Sequence, residues 1–199
     1  MNSESFSSVY PFDSDEGFDA ILPLKIKRLS TTHWTPVDVA KRVAHFLVGH
    51  ENTKVLDIGS GVGKFCLTAA TVSSGHFTGV EQREALVKLS RKLAHRFHID
   101  RAEFIQANIL SIDFRAYDAF YFFNSFEENL NLTDRIDDDV QYNPSRYKAY
   151  SRYLFEQFEV LPQGTRIATY CSPSSIIPEH YVMLGSDIKG KLKFWEKRY

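Results

Sequence analysis

The 199 residues are close to one ordinary domain and long enough to bury roughly 70 % of the unfolded surface, so length calls for no accessory domain. Charges nearly cancel, with 24 Lys and Arg against 25 Asp and Glu, which excludes a global basic field that would recruit nucleic acid and leaves only local patches. No stretch approaches the roughly 18 apolar residues of a membrane span, and the start MNSESFSSVYPFDSDEG has neither a basic leader nor an apolar core, so the expectation is a cytoplasmic protein without a membrane partner.

Residues 1–30 show weak periodicity and read as an N-terminal extension or lid, ahead of a single domain at 31–199. TPVDVAKRVAHFL (35–47) then begins a helix, with Thr35 as the capping candidate, Pro36 at the first helical position and Asp38 three residues after the cap. Short β-branched and aromatic runs follow as strands: TKVLDI (53–58), HFTGVE (76–81), AEFIQA (102–107), YDAFYFF (117–123) and GTRIATY (164–170). Helices fill the gaps. In REALVKLSRKLAHRF (83–97), Leu86, Leu89, Leu93 and Phe97 share one face, and Tyr147, Tyr150, Leu154 and Phe158 do so in PSRYKAYSRYLFEQF (144–158). Strands alternating with helices predict an α/β fold, a doubly wound and mostly parallel sheet with helices on both faces. At the end the rhythm changes, because HYVMLG and KLKFWEKRY are separated only by SDIKG. That spacing predicts a C-terminal antiparallel hairpin.

The residues that carry chemistry gather at strand ends. Asp57 closes the first strand, and Gly59, Gly61 and Gly63 form the turn into the next helix, where open α/β sheets bind ligands. A dinucleotide site needs G-x-G-x-x-G, and here Lys64 occupies the third glycine position. A carboxylate on the turn would repel a pyrophosphate and suits a ligand that bears an ammonium and a sulfonium. Glu81 closes the second strand, where two carboxylate oxygens can accept both hydroxyls of a ribose; a solvated strand-end acid is the plainer alternative. Asn108 follows the third strand with an amide for an adenine edge and Ile109 for its ring face, or simply starts a loop.

VLDIGSGVG, GVEQ and AN at these three strand ends resemble the cofactor motifs of class I S-adenosylmethionine-dependent methyltransferases. The resemblance covers about residues 30–199 and implies a seven-stranded sheet with an appended hairpin and S-adenosyl-L-methionine as cofactor. It further implies Asp57, Gly59 and Gly61 near the methionine part, Glu81 on the ribose and Asn108 at the adenine, where the family more often has Asp.

The acceptor belongs after the fourth strand, in FFNSFEEN. Methyl transfer is an in-line displacement, so the protein's task is to align a nucleophile and exclude water. Asn124 can orient an amine through its carbonyl oxygen, and Phe126 can stack on a flat or cationic group; a turn-forming Asn and a core Phe are the alternatives. NSF departs from the Asn-Pro-Pro-aromatic motif of amino-group methyltransferases and is similar in placement to the Asn-Asn-Phe of Dot-type histone lysine methyltransferases. The run 127–139 carries six acids and one arginine, a rim that attracts cations, whereas KGKLKFWEKR carries five basic residues and one acid and can hold a phosphate backbone or blunt a sheet edge. The balance favours a protein side chain or small amine as acceptor over nucleic acid.

Other chemistries find little support. His95 and His98 lie on a basic helix face without a third ligand, so no metal site is expected, and Cys66 and Cys171 read as bland isolated thiols. There is no Gly-x-Ser-x-Gly elbow and no P-loop. The alternatives that stay open are an NAD-dependent oxidoreductase and a catalytically silent protein that keeps the fold for binding.

Overall fold

A computed structural model describes residues 10–126, 136–137 and 143–199. Its centre is a seven-stranded sheet: β1 (Lys54–Ile58), β2 (His76–Glu81), β3 (Ala102–Gln106), β4 (Ala119–Phe122), β5 (Arg166–Tyr170), β6 (Tyr181–Asp187) and β7 (Leu192–Lys197). The spatial order is β3-β2-β1-β4-β5-β7-β6. The first five strands run parallel, and β7 is antiparallel to both β5 and β6. From β1 the chain winds outward through β2 and β3, then returns to add β4 on the other side. The crevice beyond the carboxyl ends of β1 and β4 is therefore the topological switch point, where ligands of such sheets bind.

Strand residues alternate between two cores. Val55, Phe77, Phe104, Tyr121 and Ala168 face α4 (Val37–Leu47), α5 (Lys64–Val72) and α6 (Glu84–Arg96). Leu56, Ile58, Phe120, Phe122 and Ile167 face α7 (Pro144–Glu159), through Tyr150, Leu154 and Phe158. Helices thus cover both faces, but they do not fill every gap. The crossover after β3 contains only 3-10 turns at Ile109–Ser111 and Phe114–Ala116, and the one after β5 only Ser174–Ile176. Local side-chain bonds explain the first departure: Asn108 and Asp113 each accept from the backbone N–H two residues on, a conformation that competes with a helix. Pro173 and Pro178 oppose a helix in the second.

Residues 10–33, mostly within the expected extension, form α1 (Asp15–Ala20), α2 (Leu24–Lys27) and α3 (Ser30–His33). Phe12 and Phe18 are fully buried in the same core as α4 to α6, and the Phe12 ring meets Phe97 edge-on at 5.3 Å. This strap also supplies the start of α4. Thr35 is not the cap, because Pro36 occupies that position and the Thr35 hydroxyl is hydrogen-bonded to the Tyr121 hydroxyl at 3.0 Å. Instead the Val37 N–H donates to Asp15 Oδ1 at 2.8 Å.

The C-terminal pair is a hairpin with the lysine-rich strand inside the sheet, so the sequence reading of that strand as a blunted edge is corrected. The edge strand is β6, with Val182, Met183 and Leu184 exposed. Lys197 is buried, and its ammonium donates to the Leu161 carbonyl at 2.7 Å just beyond α7. Among the described residues, no helix is long and apolar enough to cross a membrane.

Candidate cofactor and acceptor site

A cavity of about 200 Å3 opens at the switch point. Its walls include Asp57, Gly59, Gly61, Glu81, Asn108, Ile109, Asn124 and Phe126. Eight of the nine residues singled out from the sequence therefore converge on one space. The ninth, Gly63, is not on its wall; it caps α5 at φ +75, and a Cβ there would lie 2.4 Å from the Phe104 ring. Gly61 combines both demands, with φ +54 and a Cβ that would lie 2.5 Å from the Trp34 ring. These turns require glycine for the backbone and for close packing.

Asp57 is 4 % exposed at the end of β1. Burial, the largest influence, and the nearby Glu81 charge together push its carboxyl up to about 7, against a hydrogen bond from the Cys66 thiol that pulls it down. That thiol donates to Asp57 Oδ2 at 3.4 Å, which makes Cys66 a neighbour of the site rather than an inert core thiol. The converse holds for Cys66, whose pKa is raised by burial and then by Asp57.

Glu81 lies with one oxygen accepting from the Gly61 N–H at 3.2 Å and the other from the Arg83 N–H at 2.9 Å. Arg83, absent from the sequence reading, is buried beside it and links Glu81 at 3.4 Å to Asp137 at 3.1 Å. Asp137 is thereby a structural partner of the cofactor side of the cavity; the rest of the acidic run except Ile136 lies outside the described residues. Asn108 takes the loop-starting conformation, with Oδ1 accepting from the Leu110 N–H at 3.0 Å and Nδ2 donating to the Tyr150 hydroxyl at 2.9 Å.

After β4, Asn124 adopts φ +32, a left-handed conformation that Asn tolerates. Its N–H donates to Ser172 Oγ at 2.9 Å, and the Ser125 hydroxyl donates to the Ile58 carbonyl at 2.7 Å, so the loop after β4 is tied to the ends of β1 and β5. Phe126 is a wall and a core residue at once, 5.0 Å from both the Phe122 and Tyr150 rings. Trp34 completes the wall over Gly61 and donates its indole N–H to the Ile26 carbonyl at 3.1 Å. Long-range partners such as Lys64, Arg83 and Tyr150 had no motif to mark them. An arginine two residues after the strand-end acid was the one available hint.

An acid-lined glycine turn at the switch point of a parallel sheet defines a cofactor site of the nucleoside-binding α/β class. The sequence profile of a family described as a methyltransferase domain matches residues 49–171. The chain belongs to that family. Membership bears out S-adenosylmethionine as the cofactor that the sequence motifs implied. A comparison with curated proteins finds no match.

Among solved structures the chain is similar to an RNA methyltransferase from Salinibacter ruber in complex with S-adenosyl-L-homocysteine (TM-score 0.57, 23 % identity, covering 82 % of this chain and 92 % of that one). It is similar also to TrmN from Thermus thermophilus (TM-score 0.59, 14 % identity, 86 % and 52 %), and to the [4+2]-cyclase SpnF (TM-score 0.51, 20 % identity, 66 % and 43 %). The chain thus spans about half or less of the last two. At these identities the likeness is one of fold, and the cyclase illustrates that this fold does not prescribe the reaction.

Proposed function

We propose that the protein is an S-adenosylmethionine-dependent methyltransferase acting on a nitrogen of a protein side chain or small amine. The observation that carries the reading is the convergence on one cavity of the acids at the ends of β1 and β2 with Asn124 and Phe126 at the end of β4. The donor set fits the cofactor: Asp57 and Glu81 supply negative charge for a sulfonium and an ammonium and acceptors for ribose hydroxyls, and Ile109 supplies an apolar wall for the base. When bound, the cofactor supplies an electrophilic methyl group. The chain's own contribution is alignment and dryness. In this reading the Asn124 carbonyl accepts an N–H of the acceptor and turns its lone pair toward the methyl, while Trp34, Phe65 and Phe126 exclude water.

Two observations support a cationic acceptor over nucleic acid. Of the five basic residues in 189–198, Lys197 caps α7, Arg198 pairs with Glu196, and Lys193 donates to Ser174. A phosphate-binding strip would need those charges available. The acidic composition of 127–139 favours the opposite sign. Membership of a methyltransferase family and the acid-lined turn both stand against the nicotinamide alternative.

Calorimetry should show binding of S-adenosylmethionine and none of NAD; the reverse would refute the assignment. Asn124→Ala should leave cofactor affinity within about threefold and lower turnover at least tenfold, about 1.4 kcal/mol of barrier. Equal losses in both would make Asn124 structural.

A further inference from the structure

The two edges of the sheet differ in how they meet water. At the β3 edge, Arg91 donates to the Phe104 carbonyl from Nε at 2.9 Å and Nη2 at 2.6 Å, and Glu103 and Gln106 are exposed polar side chains. At the β6 edge, Val182, Met183 and Leu184 are 44 %, 50 % and 46 % exposed in succession. The strand carries no lysine and no proline, the residues that commonly keep an unpaired row of N–H and C=O groups from joining another strand. The connection that enters it after β5 supplies only the turn Ser174–Ile176 and no helix to lie over the strand. A bulge between Met183 and Gly185 adds twist, and a copy related by a two-fold axis would share that twist.

We propose that β6 pairs antiparallel with β6 of a second copy of this chain, about a two-fold axis at Leu184. Symmetry and charge select this register. Antiparallel neighbours alternate between hydrogen-bonded and non-hydrogen-bonded pairs, so a two-fold axis must pass through a residue that faces its own copy. Centred on Leu184, the pairing sets Met183 against Gly185 and Val182 against Ser186, apolar side chains beside small residues, and brings Glu179, just before the strand, to Lys189 at the hairpin tip. Both of these charges are exposed, and neither has an ion pair among the described residues. The two-fold axis makes the attraction twice. Centring on Met183 sets Glu179 against Asp187, acid beside acid, and centring on Gly185 sets Met183 against Asp187.

Size exclusion coupled to light scattering reads the mass directly. The wild type should pass from one chain mass to two as its concentration rises. Leu184→Lys, which sets two ammoniums at the axis, should hold it at one mass with an unchanged far-ultraviolet circular dichroism spectrum. Glu179→Lys should raise the dimer dissociation constant at least fivefold, and Glu179→Lys combined with Lys189→Glu should restore it to within about twofold. Oxidation reads the register independently. In a Cys171→Ser background, Leu184→Cys should form a disulfide-linked dimer, because residues facing each other across an antiparallel pair have Cα atoms about 4.5–5.5 Å apart; Ser186→Cys, facing Val182, should not. A wild type that stays at one mass at every concentration overturns the proposal and leaves the edge to a strand of a different protein. A dimer that survives Leu184→Lys, ignores the charge reversal or cross-links equally through Ser186→Cys overturns it too, by placing the contact elsewhere.

Discussion

Asp57 is held far from the solvated setting that a carboxylate prefers, buried at the end of β1. Its folded-state pKa of about 7 lies above the ordinary 3.8, so between those pH values the folded chain binds more protons at this site than the unfolded one. Stability from this group is therefore fully present at low pH and is lost as pH rises toward 7, by at most about 1.4 kcal/mol per pH unit. A cationic ligand needs the opposite, the ionised form. Asp57→Asn, which removes the titration, should make urea stability flatter between pH 4 and 7 and higher than wild type at pH 8, while weakening cofactor binding. A wild-type pH slope that persists in the variant would place the titration elsewhere.

Elements were legible in the sequence to different degrees, and the difference follows the range of the forces. The seven strands lie where runs of β-branched and aromatic residues put them, and the hairpin was readable because five residues cannot span a crossover. Asp57, Gly59, Gly61 and Glu81 were readable because their neighbours in space are also near in the chain or at equivalent strand ends. What escaped was set by contacts distant in sequence. Nothing local distinguishes Thr35, a good capping residue, from Asp15, 22 positions away from the N–H it accepts. Lys64 was visible only as a missing glycine, since its burial depends on α1. The cap gives an element-scale prediction: Asp15→Ala should lower the unfolding free energy by more than the roughly 1–2 kcal/mol of a lost helix cap, because it also strips the buried Lys64 of its ion pair at 2.7 Å. The check is a urea titration, and an unchanged midpoint would return the start of α4 to other groups.

At the scale of the whole molecule the two sheet faces differ in a way that bears on the acceptor. One face carries three full helices and the strap, while the other has α7 and short 3-10 turns; in sequence the acidic run 127–139 lies between β4 and α7. Of that run's six acids, Asp137 is already spent on Arg83, so its neutralisation would disturb the Glu81 side of the cavity. A charge test of acceptor choice must therefore leave it in place. Changing Glu127 and Glu128 to Gln and Asp138 and Asp139 to Asn removes four negative charges, as counted in the sequence, without breaking that ion pair. Interactions between solvated charges are screened over roughly 8 Å at physiological ionic strength. A cationic peptide or amine should accordingly be methylated more slowly by the variant at low salt and at nearly the wild-type rate at high salt, with cofactor affinity unchanged in both. Faster methylation at low salt would mark an anionic acceptor such as RNA and reverse the choice of substrate class. An equal rate at all salt concentrations would show that the four charges stand clear of the acceptor's path, leaving Asn124 and the aromatic wall to select it.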